Sequence, residues 1–221
     1  LLGEKNLYDY ASAFGYGKKT GLGLMGEIPG TLHKVSEWDG LTITRLPMGH
    51  AVAATPLQVH CAMSAIANQG IYMQPQLVRR IYDNSGNTII HYSPRAVRRV
   101  ISSKIAALMG DMLTDVVSDT GTARRAQIKG FKVAGKTGTS QKIINGAYSN
   151  KKHVASFTGF FPAQRPRLVI TVVVDSPKLN GIGYGGLVAA PVFKALGEQA
   201  AKYLGIQSDE DFEKKVAWKS M

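Results

Sequence analysis

Gly130-Phe131-Lys132-Val133-Ala134-Gly135-Lys136-Thr137-Gly138-Thr139-Ser140-Gln141-Lys142 supports two readings that compete at one lysine. Residues 130–137 fit G-x-x-x-x-G-K-[ST], the loop that cradles nucleotide phosphates. Residues 168–174, followed by Asp175, even supply the hydrophobic strand and acid that hold Mg²⁺ in nucleotide hydrolases. The context opposes this reading. A phosphate loop follows a buried strand and opens a helix. Residues 124–129 (Arg-Arg-Ala-Gln-Ile-Lys) are too polar for a central strand, and residues 138–146 have no helical period. Residues 131–134 favour an extended strand over a tight anion nest. The second reading starts at Lys136-Thr137-Gly138-Thr139. On a strand, the Thr137 and Thr139 hydroxyls project from one face. Gly138 admits the close approach of an extended peptide. Lys136 brings an ammonium that steers a carboxylate and tunes proton transfer, and the Thr139 amide is a candidate oxyanion donor.

The sequence on either side predicts alternating helices and then a sheet. A helix is expected over residues 4–14, with Leu7, Tyr10, Ala11 and Phe14 on one face. Residues 15–54 are glycine-rich and read as a long irregular connection. Thr55-Pro56-Leu57-Gln58 is a capping box that opens a second helix, with Leu57, Val59, Cys61, Ala62, Ala65 and Ile66 apolar and Gly70 at its end. Residues 77–82 and 88–92 flank a turn and predict a hairpin. The helix after Ser102 or Ser103 is expected to bury Ile105, Leu108, Met109, Met112, Leu113 and Val116. Strands follow at 131–134, 155–161 and 168–174. The short 162–166 link makes the last two antiparallel. A helix over 188–204 is expected to bury Val192, Phe193, Leu196 and Ala200. This is an α+β or mixed α/β pattern, an antiparallel sheet with a helix laid on it. Residues 1–205 read as one domain part and 206–221 as a charged, mobile tail.

Composition narrows the function classes. The chain has 221 residues, 44% of them hydrophobic, and 27 basic against 15 acidic side chains give +12. One cysteine, Cys61, excludes a disulfide framework. Cys61 lies on an apolar helix face and reads as core. The five histidines show no H-x-x-x-H spacing, so neither a metal nor another cofactor is expected. His50 and the Met109–Met112 pair read as packing. Tyr184-Gly185-Gly186 reads as a turn or as the rim of a site. Apolar runs fall well short of the ~20 residues a membrane helix needs. The basic pairs are scattered without interleaved aromatics, so no nucleic-acid partner is expected.

The ordered segments then bear a resemblance that K-T-G alone could not carry. These are Leu7-Tyr8-Asp9-Tyr10, Phe14-Gly15-Tyr16-Gly17, Lys19-Thr20-Gly21, Gly26-Glu27-Ile28-Pro29-Gly30 and Met48-Gly49-His50. Thr55-Pro56-Leu57-Gln58, Ala67-Asn68-Gln69-Gly70, Gly121-Thr122-Ala123, residues 134–142, Phe157-Thr158-Gly159-Phe160-Phe161-Pro162 and Ala189-Ala190-Pro191-Val192-Phe193 continue the match. Over residues 3–205 the chain resembles the C-terminal part of a class B penicillin-binding protein transpeptidase domain, of the cell-division or elongation type. The resemblance implies a penicillin-binding/β-lactamase-like fold with a central antiparallel sheet covered by helices. It also implies a serine acyl-enzyme that cross-links peptidoglycan through D-Ala-D-Ala stem peptides and is acylated by β-lactams. Lys136 and Thr139 would then be catalytic, and Thr137, Gly138 and Thr139 would bind substrate. The implied partners are stem peptides, β-lactams, a membrane glycosyltransferase and division or elongation proteins. The implied location is the extracytoplasmic face of the bacterial inner membrane.

The family's S-x-x-K and S-x-N motifs are not assigned in this sequence. Ser149-Asn150-Lys151-Lys152 fits the first, but it follows K-T-G and reads as a polar loop. Ser85-Gly86-Asn87 fits the second, but it sits in a hairpin turn. The nucleophilic serine is therefore absent from this chain, and the chain alone is expected to be inactive.

Overall fold

The computed structural model describes residues 2–178 and 183–219. The chain forms two compact units, Leu1–Ser102 and Ser103–Met221. The first contains α1 (Glu4–Ala13), β1 (Thr31–Leu32), α2 (Thr42–Arg45), β2 (Val52–Ala53), α3 (Pro56–Ala67), β3 (Ile71–Met73), β4 (Arg80–Tyr82), β5 (Thr88–His91) and β6 (Ala96–Arg99). Its strands pair antiparallel as three two-stranded ladders: β1 with β2, β3 with β6, and β4 with β5.

The capping box forms as the sequence predicts. Gln58 N–H donates to the Thr55 hydroxyl at 3.1 Å, and Thr55 N–H donates to Gln58 Oε1 at 2.8 Å. Gln58 does more than cap. It is fully buried, where the apolar pattern placed only hydrophobic residues. Its Nε2 donates to the carbonyls of Lys18 at 2.8 Å, Pro29 at 2.7 Å and Gly15 at 3.3 Å. A loop without a ladder must satisfy its buried backbone elsewhere, and one side-chain amide does this for the carbonyls of residues 15, 18 and 29. Gly30 lies so close to the Ala53 carbonyl and Gln58 that a side chain would not fit there. Cys61 is buried in a small core with Ala65, Tyr72 and Val100, and burial pushes its thiol pKa up. It packs as core.

The second unit contains α4 (Ser103–Asp115), β7 (Ala134–Ile144), β8 (Ala147–Phe161), β9 (Leu168–Asp175), α5 (Gly185–Val188), α6 (Ala190–Tyr203) and α7 (Asp209–Lys219). β7, β8 and β9 form one antiparallel sheet in that order. Phe157 and Phe161 point from β8 to the α6 face, where each meets the Phe193 ring edge-on, with centroids at 4.8 and 6.3 Å. Such edge contacts add about 0.5–1.5 kcal/mol each beyond burial.

Several sequence expectations change here. The strand expected at 131–134 begins at Ala134, and Phe131 joins only an isolated bridge with Ile128. On α4 the buried positions are Ala106 and Gly110, while Ile105, Leu108 and Met112 are exposed. Small residues line this contact, with Gly110 set against the Phe160 ring. The same holds on α6: Phe193 is buried as expected, together with Ala190, Gly197 and Ala201, but Val192 and Leu196 are exposed. Residues 149–152 lie within β8 instead of a loop. The tail also turns helical. Asp209 accepts from the Lys132 amide at 2.6 Å, and Arg165 stacks on the Phe212 ring at 3.3 Å. Residues 220 and 221 lie outside the described residues.

Replacing Gln58 with Leu is expected to lower stability by about 3 kcal/mol or more, because buried carbonyls lose their donor. Thr55→Ala, which removes only the cap, should cost about 1 kcal/mol. Urea denaturation of the two variants measures the difference.

Candidate functional site

Lys136, Thr137, Gly138 and Thr139 fall in the first half of β7, opposite Thr158, Phe157, Ser156 and Ala155 of β8. Among the described residues no strand pairs with the other side of β7. The direction of its backbone follows from two carbonyls. A side chain at Gly185 would overlap the carbonyl oxygens of both Gly138 and Ser156. Those two oxygens therefore lie together between the strands, and Gly138 and Ser156 are a hydrogen-bonded pair. Antiparallel pairs alternate, so Thr137 and Thr139 turn their N–H and C=O groups to the free edge. The Lys136 ammonium, which donates to the Thr137 carbonyl at 2.9 Å, lies on that edge.

The side chains divide by face. Thr137 and Thr139 share the face of Phe157, which α5 and α6 cover. Lys136 shares the face of Phe160, which α4 covers. Opposite Lys136, the buried Thr158 hydroxyl has no hydrogen-bond partner among the described residues. The hydroxyls on the other face are all engaged. Thr139 Oγ1 accepts from Gly185 N–H at 3.1 Å, and Thr137 Oγ1 lies 3.2 Å from Thr122 Oγ1.

Thr122 comes from the loop after α4 and has no signal of its own beyond its place in a matched segment. The loop is set by Ala123, which is fully buried and donates its N–H to the Val116 carbonyl at 2.8 Å. Gly186 seats α5 directly on the Thr122 carbonyl, where any Cβ would overlap it. Gly185 and Gly186 thus pack against the strand and the loop that carry Thr139 and Thr122. The two buried glycines let a helical turn touch both the β7–β8 ladder and the Thr122 loop.

Hydrogen-bond accounting gives the site one polarity. Thr139 uses a lone pair on Gly185, so its own proton is left to donate. The Thr122–Thr137 pair uses one of its two protons and keeps the other. The ammonium has three donors and spends one. Outward N–H groups on the strand edge add to these. Such a set suits a carboxylate at the end of an extended chain. A nucleotide phosphate loop is not formed, since residues 134–137 are extended and continue in an 11-residue strand with no helix after them. His50 is exposed in the first unit, and no cluster of metal-ligating side chains occurs among the described residues.

The chain is similar to known proteins in sequence and fold. Residues 1–198 match the family model of the penicillin binding protein transpeptidase domain. Stage V sporulation protein D of Bacillus subtilis is 36% identical over 219 residues, which cover 98% of this chain and 34% of that protein. A peptidoglycan D,D-transpeptidase FtsI of Buchnera aphidicola is 33% identical over 92% of this chain and 34% of its own length. The crystal structure of penicillin binding protein 3 of Mycobacterium tuberculosis, complexed with aztreonam, superposes with a TM-score of 0.85 at 30% identity. It covers 93% of this chain and 48% of the solved one. The chain thus spans about a third of the curated relatives it matches.

Gly186→Ala is expected to unseat α5 and cost about 1–3 kcal/mol by overpacking. Thr122→Val, at an exposed position, should stay within about 0.5 kcal/mol of the parent. Thr158→Val should raise stability by about 1 kcal/mol, by removing an unpaired buried hydroxyl. Chemical denaturation monitored by fluorescence reports all three.

Proposed function

Because the chain belongs to the penicillin-binding protein transpeptidase family, we propose that it is the carboxylate-recognising part of a peptidoglycan D,D-transpeptidase. The observation that carries this is the free edge of β7, where outward amides, three threonine hydroxyls and one ammonium converge. An extended stem peptide ending in D-Ala-D-Ala aligns beside β7 as an added strand. Its terminal carboxylate takes the Thr137 and Thr139 hydroxyl protons. Lys136 holds the negative charge in place and keeps the neighbouring proton transfers favourable. The Thr139 amide points at the carbonyl under attack, where it stabilises the oxyanion of the tetrahedral intermediate.

The nucleophile is a serine outside this sequence. It attacks the penultimate D-Ala carbonyl, D-Ala leaves with the proton, and the acyl group passes to an amine of a second stem. β-Lactams are attacked at the same point because their carboxylate sits at a similar distance from a reactive carbonyl. In this reading residues 1–205 belong to the catalytic domain and 206–221 are its tail. The protein works on the extracytoplasmic face of the membrane, beside a glycosyltransferase and division or elongation proteins. No described helix is long and apolar enough to cross a membrane.

Full-length protein is expected to be labelled covalently by a fluorescent penicillin. Lys136→Ala should slow acylation about 10²-fold or more, as loss of one transition-state donor does. Thr122→Val should slow it up to about tenfold, the value of one hydrogen bond. Normal labelling of a folded Lys136→Ala protein would overturn the role given to that residue. Residues 1–221 alone should remain unlabelled.

A further inference from the structure

The first unit holds a cleft of about 240 Å³ that the transpeptidase reading does not use. Lys18, Lys19, Arg95 and Arg98 line it, with Gln74 and Tyr72 between them, and no acidic side chain is among its lining residues. Four cations around so small a space repel one another unless an anion joins them.

Two of the four are held in place. The Arg98 guanidinium stacks on the Tyr72 ring at 4.3 Å, and its Nε donates to the Ala13 carbonyl at 2.7 Å. Tyr72 is itself only 3% exposed, so the platform is rigid. This leaves the two terminal amino groups of Arg98 without a hydrogen bond among the described residues. Gln74 fixes Arg95. Gln74 N–H donates to the Arg95 carbonyl at 2.9 Å, and the Arg95 guanidinium reaches Gln74 Oε1 at 3.4 Å. Gln74 Nε2 is anchored in turn on the Gly21 carbonyl at 2.9 Å. None of the four cations forms a salt bridge among the described residues. The neighbouring carboxylate, Glu27, is occupied by the Thr20 hydroxyl and by the Thr20 amide at 2.6 Å. Those bonds, with a smaller contribution from the Lys19 charge, lower its pKa, so it stays charged and bound where it is and faces Lys19 alone of the four cations.

We propose that this cleft is a phosphate-binding site, with the Arg95 and Arg98 forks and the Lys18 and Lys19 ammoniums closing on one phosphate group. Guanidinium forks match the paired oxygens of a phosphate, and lysines add point charge from the open side. The volume admits a phosphate mono- or diester headgroup. Free phosphate and the headgroup of an anionic lipid share this chemistry. The site stands independently of the transpeptidase reading.

Calorimetric titration of the full-length protein with inorganic phosphate at low salt tests it, alongside flotation with phosphatidylglycerol and phosphatidylcholine vesicles. Saturable phosphate binding is expected, weakened tenfold or more in the double variant Lys19→Gln, Arg95→Gln. Both residues are exposed, so an unchanged melting temperature should accompany the loss. The double variant Arg79→Gln, Arg80→Gln, which removes the same charge outside the cleft, should bind like the parent. Binding to phosphatidylglycerol vesicles alone, lost in the first variant and kept in the second, would identify the headgroup as the source. No saturable binding to either probe, or equal weakening in both double variants, would overturn the site.

Discussion

A strand at the margin of a sheet commits half of its backbone amides and carbonyls to its neighbour and turns the other half outward. In β7 the phase of that alternation decides which residues face which way. The Gly138–Ser156 pair locks into β8, so Thr137 and Thr139 look away from it. A one-residue slip would bury the outward amides and expose the inward ones. The long ladder with β8 prevents such a slip, because the facing Phe157 must stay in register with Phe193 on α6. The aromatic contacts on one face of the sheet thus set the chemistry available at its edge.

Much of this was legible in the sequence. Two hydrophobic runs with a five-residue link gave β9 to within a residue and the end of β8, though β8 starts eight residues earlier, at Ala147, than the run marks, and the capping box predicted α3 and its start. Lys136, Thr137 and Thr139 stood out because hydroxyls two apart on a strand share a face. The less legible parts came from small residues. The hydrophobic period marks large side chains, but α4 and α6 approach the sheet through Ala106, Gly110, Ala190, Gly197 and Ala201. Large neighbours are left exposed, and a periodic count then selects the wrong stripe.

Long-range polar contacts were hidden for a different reason. Gln58 shows as half of a capping box, which is a local signal. Its three carbonyl partners lie 29 to 43 residues away and leave no mark in composition or period. Thr122 is similar. Nothing in its own neighbourhood announces that its hydroxyl will meet Thr137 fifteen residues on. Tyr184-Gly185-Gly186 was ambiguous between a turn and a rim because a glycine pair serves both. Only the carbonyls packed against it decide.

The open edge of β7 also bears on how the protein behaves in a crowded compartment. An open strand edge does not distinguish one extended chain from another by backbone alone. A second copy of the same strand can dock there about a two-fold axis and continue the sheet across both molecules. The exposed Ile143, Ile144 and Tyr148 at the far end of the hairpin would make that pairing apolar as well. Any chain that occupies the edge therefore competes with that pairing.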